Sequence, residues 1–137
     1  MILLDTNAAI FVMERLPLLP EALQSLRLAS VSRGIVISPV SAWEIGTLVR
    51  KGRGTGLSFV TDPQDWFRRL LAQPATRLAD LTVEIALASQ DLPGELHDDP
   101  ADRLLIATAR TLRIPLMTRD RKILAYGRDG HVETLPC

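Results

Sequence analysis

The sequence predicts an α/β fold, a parallel sheet covered on both faces by helices, and three observations lead there. Short apolar runs, MILL at 1–4, IVISPV at 35–40 and IPLMT at 114–118, alternate with segments of helical periodicity. The runs are continuously apolar, as strands buried on both faces are. Helix start and stop signals fall between them.

A length of 137 residues fits one domain spanning 1–137, long enough to bury roughly two-thirds of its unfolded surface. With 47% apolar and 23% charged residues, the composition is that of a folded globular chain and not of a disordered one. The single cysteine, Cys137, excludes an intramolecular disulfide and a thiolate zinc site, which suits the reducing cytoplasm expected here. Asp5 interrupts the first apolar run, and no run approaches the ~18 residues of a membrane span, so neither a signal peptide nor a transmembrane helix is expected.

MILLD reads as a first strand ending in an acid, after which Thr6 and Asn7 open a turn or cap a helix. Leu19, Leu23 and Leu26, with Ala22 and Ala29, make one helical face that Gly34 closes. Residues Ile35 to Val40 form the second strand, and Ser41 is placed to cap a helix through Val49, with Ile45, Leu48 and Val49 inward. Gly52 ends that helix within a basic stretch, Arg50, Lys51, Gly52 and Arg53, which is either an RNA contact or solvated surface.

Asp62 and Pro63 start a helix whose Trp66, Phe67, Leu70 and Leu71 share a face, better read as core or dimer interface than as a base-stacking platform. TRLADL suggests a short strand, and Thr82 caps a helix carrying Val83, Ala86 and Leu87 that Pro93 and Gly94 terminate. Pro100 and Asp102 suit the start of a helix buried on most sides between Leu104 and Ala109, and IPLMT follows as a strand ending at Asp120.

Four acids therefore lie at strand ends or helix starts: Asp5, Glu44, Asp102 and Asp120. Carboxylates brought together raise one another's pKa, and a cation restores their ionisation. An all-oxygen donor set selects magnesium or manganese over zinc. Outside these four, twelve acids face sixteen bases, fourteen of them arginine, whose fork of donors matches phosphate oxygens.

Taken singly, each acid has an ordinary explanation. Asp5 suits a turn, Asp120 a helix cap, and Ser41 with Glu44 has the spacing of a capping box. Asp5 and Asp120 fall at the carboxyl ends of parallel strands, where such sheets bind ligands, and Glu44 and Asp102 at or near helix starts, and this joint placement favours a site.

LLDTN at 3–7, SAWEI at 41–45, DPADRLLIATA at 99–109 and LMTRD at 116–120 together resemble the PIN domain, and within it the small VapC-type toxins of bacterial toxin–antitoxin pairs. The resemblance spans nearly the whole chain, and DPADRLLIATA is its most specific part. It implies a three-layer α/β/α sandwich around a mainly parallel sheet, with the activity of a metal-dependent endoribonuclease. The family's acidic quartet falls on Asp5, Glu44, Asp102 and Asp120, as catalytic and metal-holding residues for Mg2+ or Mn2+. Asp98 or Asp99 stands as a substitute for, or support to, Asp102, with Asp99 ranked ahead of Asp98. Thr6, Asn7, Ser41 and Thr118 match small polar positions that orient carboxylates, and Arg103 is placed to meet a phosphate. The implied partners are an RNA substrate, a cognate VapB-like antitoxin that blocks the acidic site, and a second copy in a homodimer.

The expected reaction has one or two such ions polarise the scissile phosphate and activate a water that attacks in line. His97 and His131, the two histidines, lie too far apart in sequence for a metal-free histidine pair to be expected, and His97 is read as a loop residue near the site. Rival readings are a magnesium-dependent phosphatase on a similar sheet and a non-catalytic RNA- or protein-binding module. A haloacid dehalogenase-like enzyme wants a second acid where Asn7 stands. A receiver domain wants a late lysine at a strand end, which neither Lys51 nor Lys122 provides.

Overall fold

The computed structural model describes residues 1–32, 34–52, 60 and 62–137. In chain order the elements are β1 (Ile2–Leu4), α1 (Thr6–Met13), α2 (Pro20–Ser30), β2 (Ile35–Ile37), α3 (Pro39–Lys51), α4 (Pro63–Leu71), β3 (Thr76–Leu78), α5 (Val83–Ala88), α6 (Pro100–Leu112), β4 (Leu116–Thr118), α7 (Arg121–Arg128) and β5 (Thr134–Pro136). The strands form one sheet in the order β3-β2-β1-β4-β5, every pair parallel, with Leu3 opposite both Val36 and Leu116. This is the expected three-layer α/β/α architecture.

Strand alternation divides the core in two. Ile2, Leu4, Ile35, Ile37 and Met117 face one layer with Ala8, Ala9, Ile45, Trp66 and Leu70. Leu3, Val36 and Leu116 face the other, with Leu105, Ile106, Ile123 and Tyr126. Trp66 is a core residue, and its indole Nε1 donates to Glu14 at 2.9 Å, which settles the aromatic face of α4 as packing and removes base stacking. Pro136 is tolerated because β5 is an edge strand, where a missing N–H interrupts no ladder on the outer side.

Several sequence expectations are corrected. The second strand ends at Ile37, because Pro39 begins α3 and Ser38 is its cap, its hydroxyl accepting from the Val40 N–H at 3.1 Å. Ser41 thus lies inside α3, where it cannot close a capping box with Glu44. Leu19, which precedes α2, and Leu23 are 48% and 41% exposed, whereas Ala22 and Ala29 are buried and Leu26 packs against the core. On α5, Val83 and Leu87 are 72% and 66% exposed, and Ile85 is the buried residue. α7 and β5 follow the last element read from the sequence. Gly52 does end α3, in the left-handed region at φ +58, and Arg53 of the basic stretch lies outside the described residues.

Replacing Ser38 by Ala should cost about 1 kcal/mol of unfolding free energy, the usual worth of a helix cap. A urea melt checks it, and no loss would return the start of α3 to Ser41.

Candidate metal centre

Strand order reverses between β1 and β4, and the carboxyl ends of both strands run directly into helices. Asp5 ends β1 and caps α1, its Oδ1 accepting from the Ala8 N–H at 2.7 Å. Asp120 follows β4 and caps α7, with Oδ1 accepting from Lys122 and Ile123 at 2.8 and 3.0 Å. Asp99 caps α6 by accepting from the Asp102 N–H at 3.0 Å. Three acids therefore cap three helices, whose N-terminal dipoles offset part of the repulsion between them.

Glu44 reaches the same region from α3. Its Oε1 accepts from the Thr6 hydroxyl, which lies 3.0 Å from the fully buried Ser41 hydroxyl. Asp102 comes from the first turn of α6, and its Oδ2 is 2.7 Å from His97 Nε2. Thr118 is fully buried, its hydroxyl accepting from the Asp120 N–H at 3.0 Å and bonded to Asp5.

The acids share one electrostatic field. Burial, reinforced by the charges of Asp102 and Asp120, pushes Asp5 up from its ordinary 3.8 to about 6 against its bonds to Thr118 and Ala8. Glu44 is also raised, first by burial and then by Asp102, Asp99 and Asp5, against its Thr6 bond. Asp102 is raised by burial and by Asp99 and Asp120, against its His97 bond. Each of the four expected acids thus feels or exerts force on the others.

A cleft of about 760 Å³ opens over this region, lined by Asp99, Asp102 and Asp120, by Asn7 and His97, and by Arg119, Arg121 and Lys122. Asp5, 5% exposed, is not among its lining residues. Arg119 is held by stacking 4.3 Å over the Phe11 ring and by donating to the Cys137 carbonyl at 3.1 Å. Arg121 and Lys122 are exposed.

By donor chemistry the residues fit a hard divalent cation: oxygen ligands, net negative charge and raised pKa values that a cation would relieve. Among the described residues, no three His, Cys, Asp or Glu side chains stand together as a ready coordination shell. Glu44, Asp99, Asp102 and Asp120 each have one oxygen bonded within the chain, and the other accepts nothing from the described residues.

Asp98 is exposed on the loop before α6, whereas the charge of Asp99 acts on both Glu44 and Asp102. Arg103 does not line the cleft, because its guanidinium donates to the carbonyls of Ser89, Leu96 and His97. Sequence reasoning passed over Arg119, Arg121 and Lys122 as a group and left His97 without a role. The RD-R-K run beside Asp120 and the five-residue step from His97 to Asp102, which brings the loop back over the start of a helix, were the available signals.

The family model described as PIN domain matches residues 2–129. Solved structures with the same fold include VapBC2 from Rickettsia felis bound to a DNA fragment from its promoter, 17% identical, with TM-score 0.69 and coverage of 99% of this chain and 98% of that one. DNA-bound VapBC from Salmonella typhimurium is 15% identical, with TM-score 0.66 and coverage of 98% and 96%. A toxin–antitoxin complex from Klebsiella pneumoniae is 24% identical, with TM-score 0.60 and 91% coverage of each chain. No curated protein sequence matches this chain significantly.

Because the folded pKa of Asp5 lies above its unfolded value, the folded state binds more protons between about pH 4 and 6 and loses stability as pH rises through that window. Without divalent metal, Asp5→Asn, which keeps the cap, should therefore raise stability at pH 7.5 by on the order of 1–3 kcal/mol and leave it little changed at pH 4. Denaturant melts at the two pH values decide it, and destabilisation at pH 7.5 would contradict the burial account of Asp5.

Proposed function

From the premise that this chain belongs to the PIN-domain family, we propose that it is a magnesium- or manganese-dependent endoribonuclease and the toxin of a toxin–antitoxin pair. The observation that carries this reading is the gathering of Asp5, Glu44, Asp102 and Asp120 into one field at the carboxyl ends of β1 and β4. The four carboxylates would hold the ion, with Thr6 fixing Glu44 and Thr118 fixing Asp5. When bound, the ion supplies Lewis acidity at the scissile phosphate and makes a water acidic enough to attack it.

The chain's own groups do the rest. Arg121 and Lys122, beside the acids in the cleft, hold flanking phosphates of the RNA by charge-assisted bonds. A carboxylate oxygen of the cluster that the ion leaves free would accept the proton of the attacking water. Water adds to phosphorus, the bond to the 3′ oxygen breaks, and that oxygen takes a proton from solvent water and leaves as a hydroxyl, so the products carry a 5′-phosphate and a 3′-hydroxyl.

An antitoxin is part of the proposal, supported by the VapBC complexes that share the fold. An arginine presented by such a partner would pair with these carboxylates and exclude both metal and RNA. A homodimer is proposed as well, and the exposed Val83 and Leu87 of α5 are apolar surface available to a second copy. Among the described residues no helix is long and apolar enough to cross a membrane.

Incubating the antitoxin-free protein with total RNA in magnesium, in manganese and in EDTA, followed by mapping of RNA ends, tests the reading. Cleavage should require metal, leave 5′-phosphates, and fall by on the order of 100-fold or more in Asp5→Ala, given that outer-sphere partners alone are worth 10–100-fold. A 2′,3′-cyclic phosphate would refute the mechanism, and an Asp5→Ala protein as active as wild type would refute the site. No cleavage in either metal would favour a binding module.

A further inference from the structure

We infer that Arg103 and His97 form a tether that fixes the Asp102 carboxylate, and that both are positioning residues for the cation site. The inference rests on the cation-site reading above and gives a function to His97, which lines the cleft, and to Arg103, which does not.

α5 ends at Ala88 with Ser89 as its cap, and the chain returns to α6 through residues 90–98, a stretch with Pro93 and Gly94 and no regular structure. Arg103 spans both ends of that loop. Its Nε donates to the Ser89 carbonyl at 2.9 Å, and its Nη1 donates to the Leu96 and His97 carbonyls, each at 3.3 Å. The planar guanidinium suits this task, because its donors diverge in a fixed fork and stay charged. The Tyr126 hydroxyl donates to the Pro93 carbonyl, and Leu92 and Leu96 pack against the core beneath, so the middle of the loop is anchored too.

The loop so held delivers one side chain to the site. His97 Nε2 meets Asp102 Oδ2 at 2.7 Å, with both side chains about one-fifth exposed. Toward an ionised carboxylate Nε2 must be the protonated nitrogen. Asp102 is the neighbour of Arg103 on α6, so a single turn of helix holds the loop backbone with one side chain and receives the loop's imidazole with the next. With Oδ2 engaged, the carboxylate cannot turn freely, and Oδ1 remains for the cation. A ligand oriented in this way loses less freedom on binding, and partners of this kind set metal affinity by about 10–100-fold.

The test uses the purified full chain as wild type, His97→Ala, Arg103→Ala and the double variant. Three quantities are read: Mn2+ affinity by calorimetry, metal-free thermal unfolding, and the 15N resonances of the His97 ring without metal. The tether predicts that His97→Ala weakens Mn2+ binding about 10-fold with metal-free unfolding nearly unchanged. Arg103→Ala should give a comparable loss, with the double variant no weaker than the weaker single one, because both act through Asp102. The wild-type ring should be a fixed Nε2–H tautomer, and that signature should be lost in Arg103→Ala. Should Arg103→Ala not fold, Arg103→Lys, which reaches one end of the loop but not both, takes its place under the same criteria. Unchanged Mn2+ affinity in either single variant, or losses that multiply in the double, would overturn the tether. If the wild type binds no Mn2+, the cation-site reading falls on that result, and the His97 ring resonances separately decide the tether, which a signature persisting without Arg103 would refute.

Discussion

Parallel pairing of β1 between β2 and β4 brings the carboxyl ends of β1 and β4 side by side, and the helices that leave those ends begin with acids. The arrangement sets two forces against each other. Burial and like charge drive the Asp5, Glu44 and Asp102 carboxyls toward protonation. Helix N-termini and donated hydrogen bonds pull toward ionisation: Ala8 and Thr118 for Asp5, Thr6 for Glu44, His97 for Asp102. With Asp5 at about 6, the balance stops short of full relief, and the proposed divalent cation would supply the opposite charge.

The buried hydroxyls follow from the same constraint. Ser41 and Thr118 sit where apolar side chains would pack without hydrogen-bonding cost, yet both are fully buried and bonded to the acids or their neighbours. Thr6 reaches from the first turn of α1 to Glu44 on α3, so the positions of α1 and α3 are coupled through one hydroxyl. A fold that served packing alone would gain nothing from these groups. Here they fix the direction of carboxylates that would otherwise turn apart.

Much of this was legible in the sequence because the signals are local. Apolar runs buried on both faces announce parallel strands, and acids placed directly after such runs announce the ligand-binding edge. Asp5, Asp102 and Asp120 each belong to a strand end or helix start that can be read from a few residues. Ser38 was hidden by the longer apolar run through Val40, in which Pro39 was the sign that the strand had ended. The face read on α2 was right for Ala22, Ala29 and Leu26, which meet the core, and wrong for Leu19 and Leu23, and on α5 Ile85 is buried in place of Val83 and Leu87, because hydrophobicity alone does not tell a core residue from an exposed one. His97 and Arg103 were illegible in role, since a hydrogen bond from a loop to a helix depends on where the chain returns, which no periodicity encodes.

Proton release on cation binding tests the central claim most directly. Calorimetric titration with Mn2+ at pH 6 and at pH 8, each in buffers of different ionisation enthalpy, counts the protons displaced per ion. If a buried acid cluster with Asp5 near 6 takes up the ion, binding at pH 6 must expel protons from these carboxyls, and the number must fall toward zero at pH 8. Asp5→Asn should reduce the release at pH 6. Binding with no proton release at pH 6, or no binding at either pH, would contradict the account of these acids as one coupled cation site.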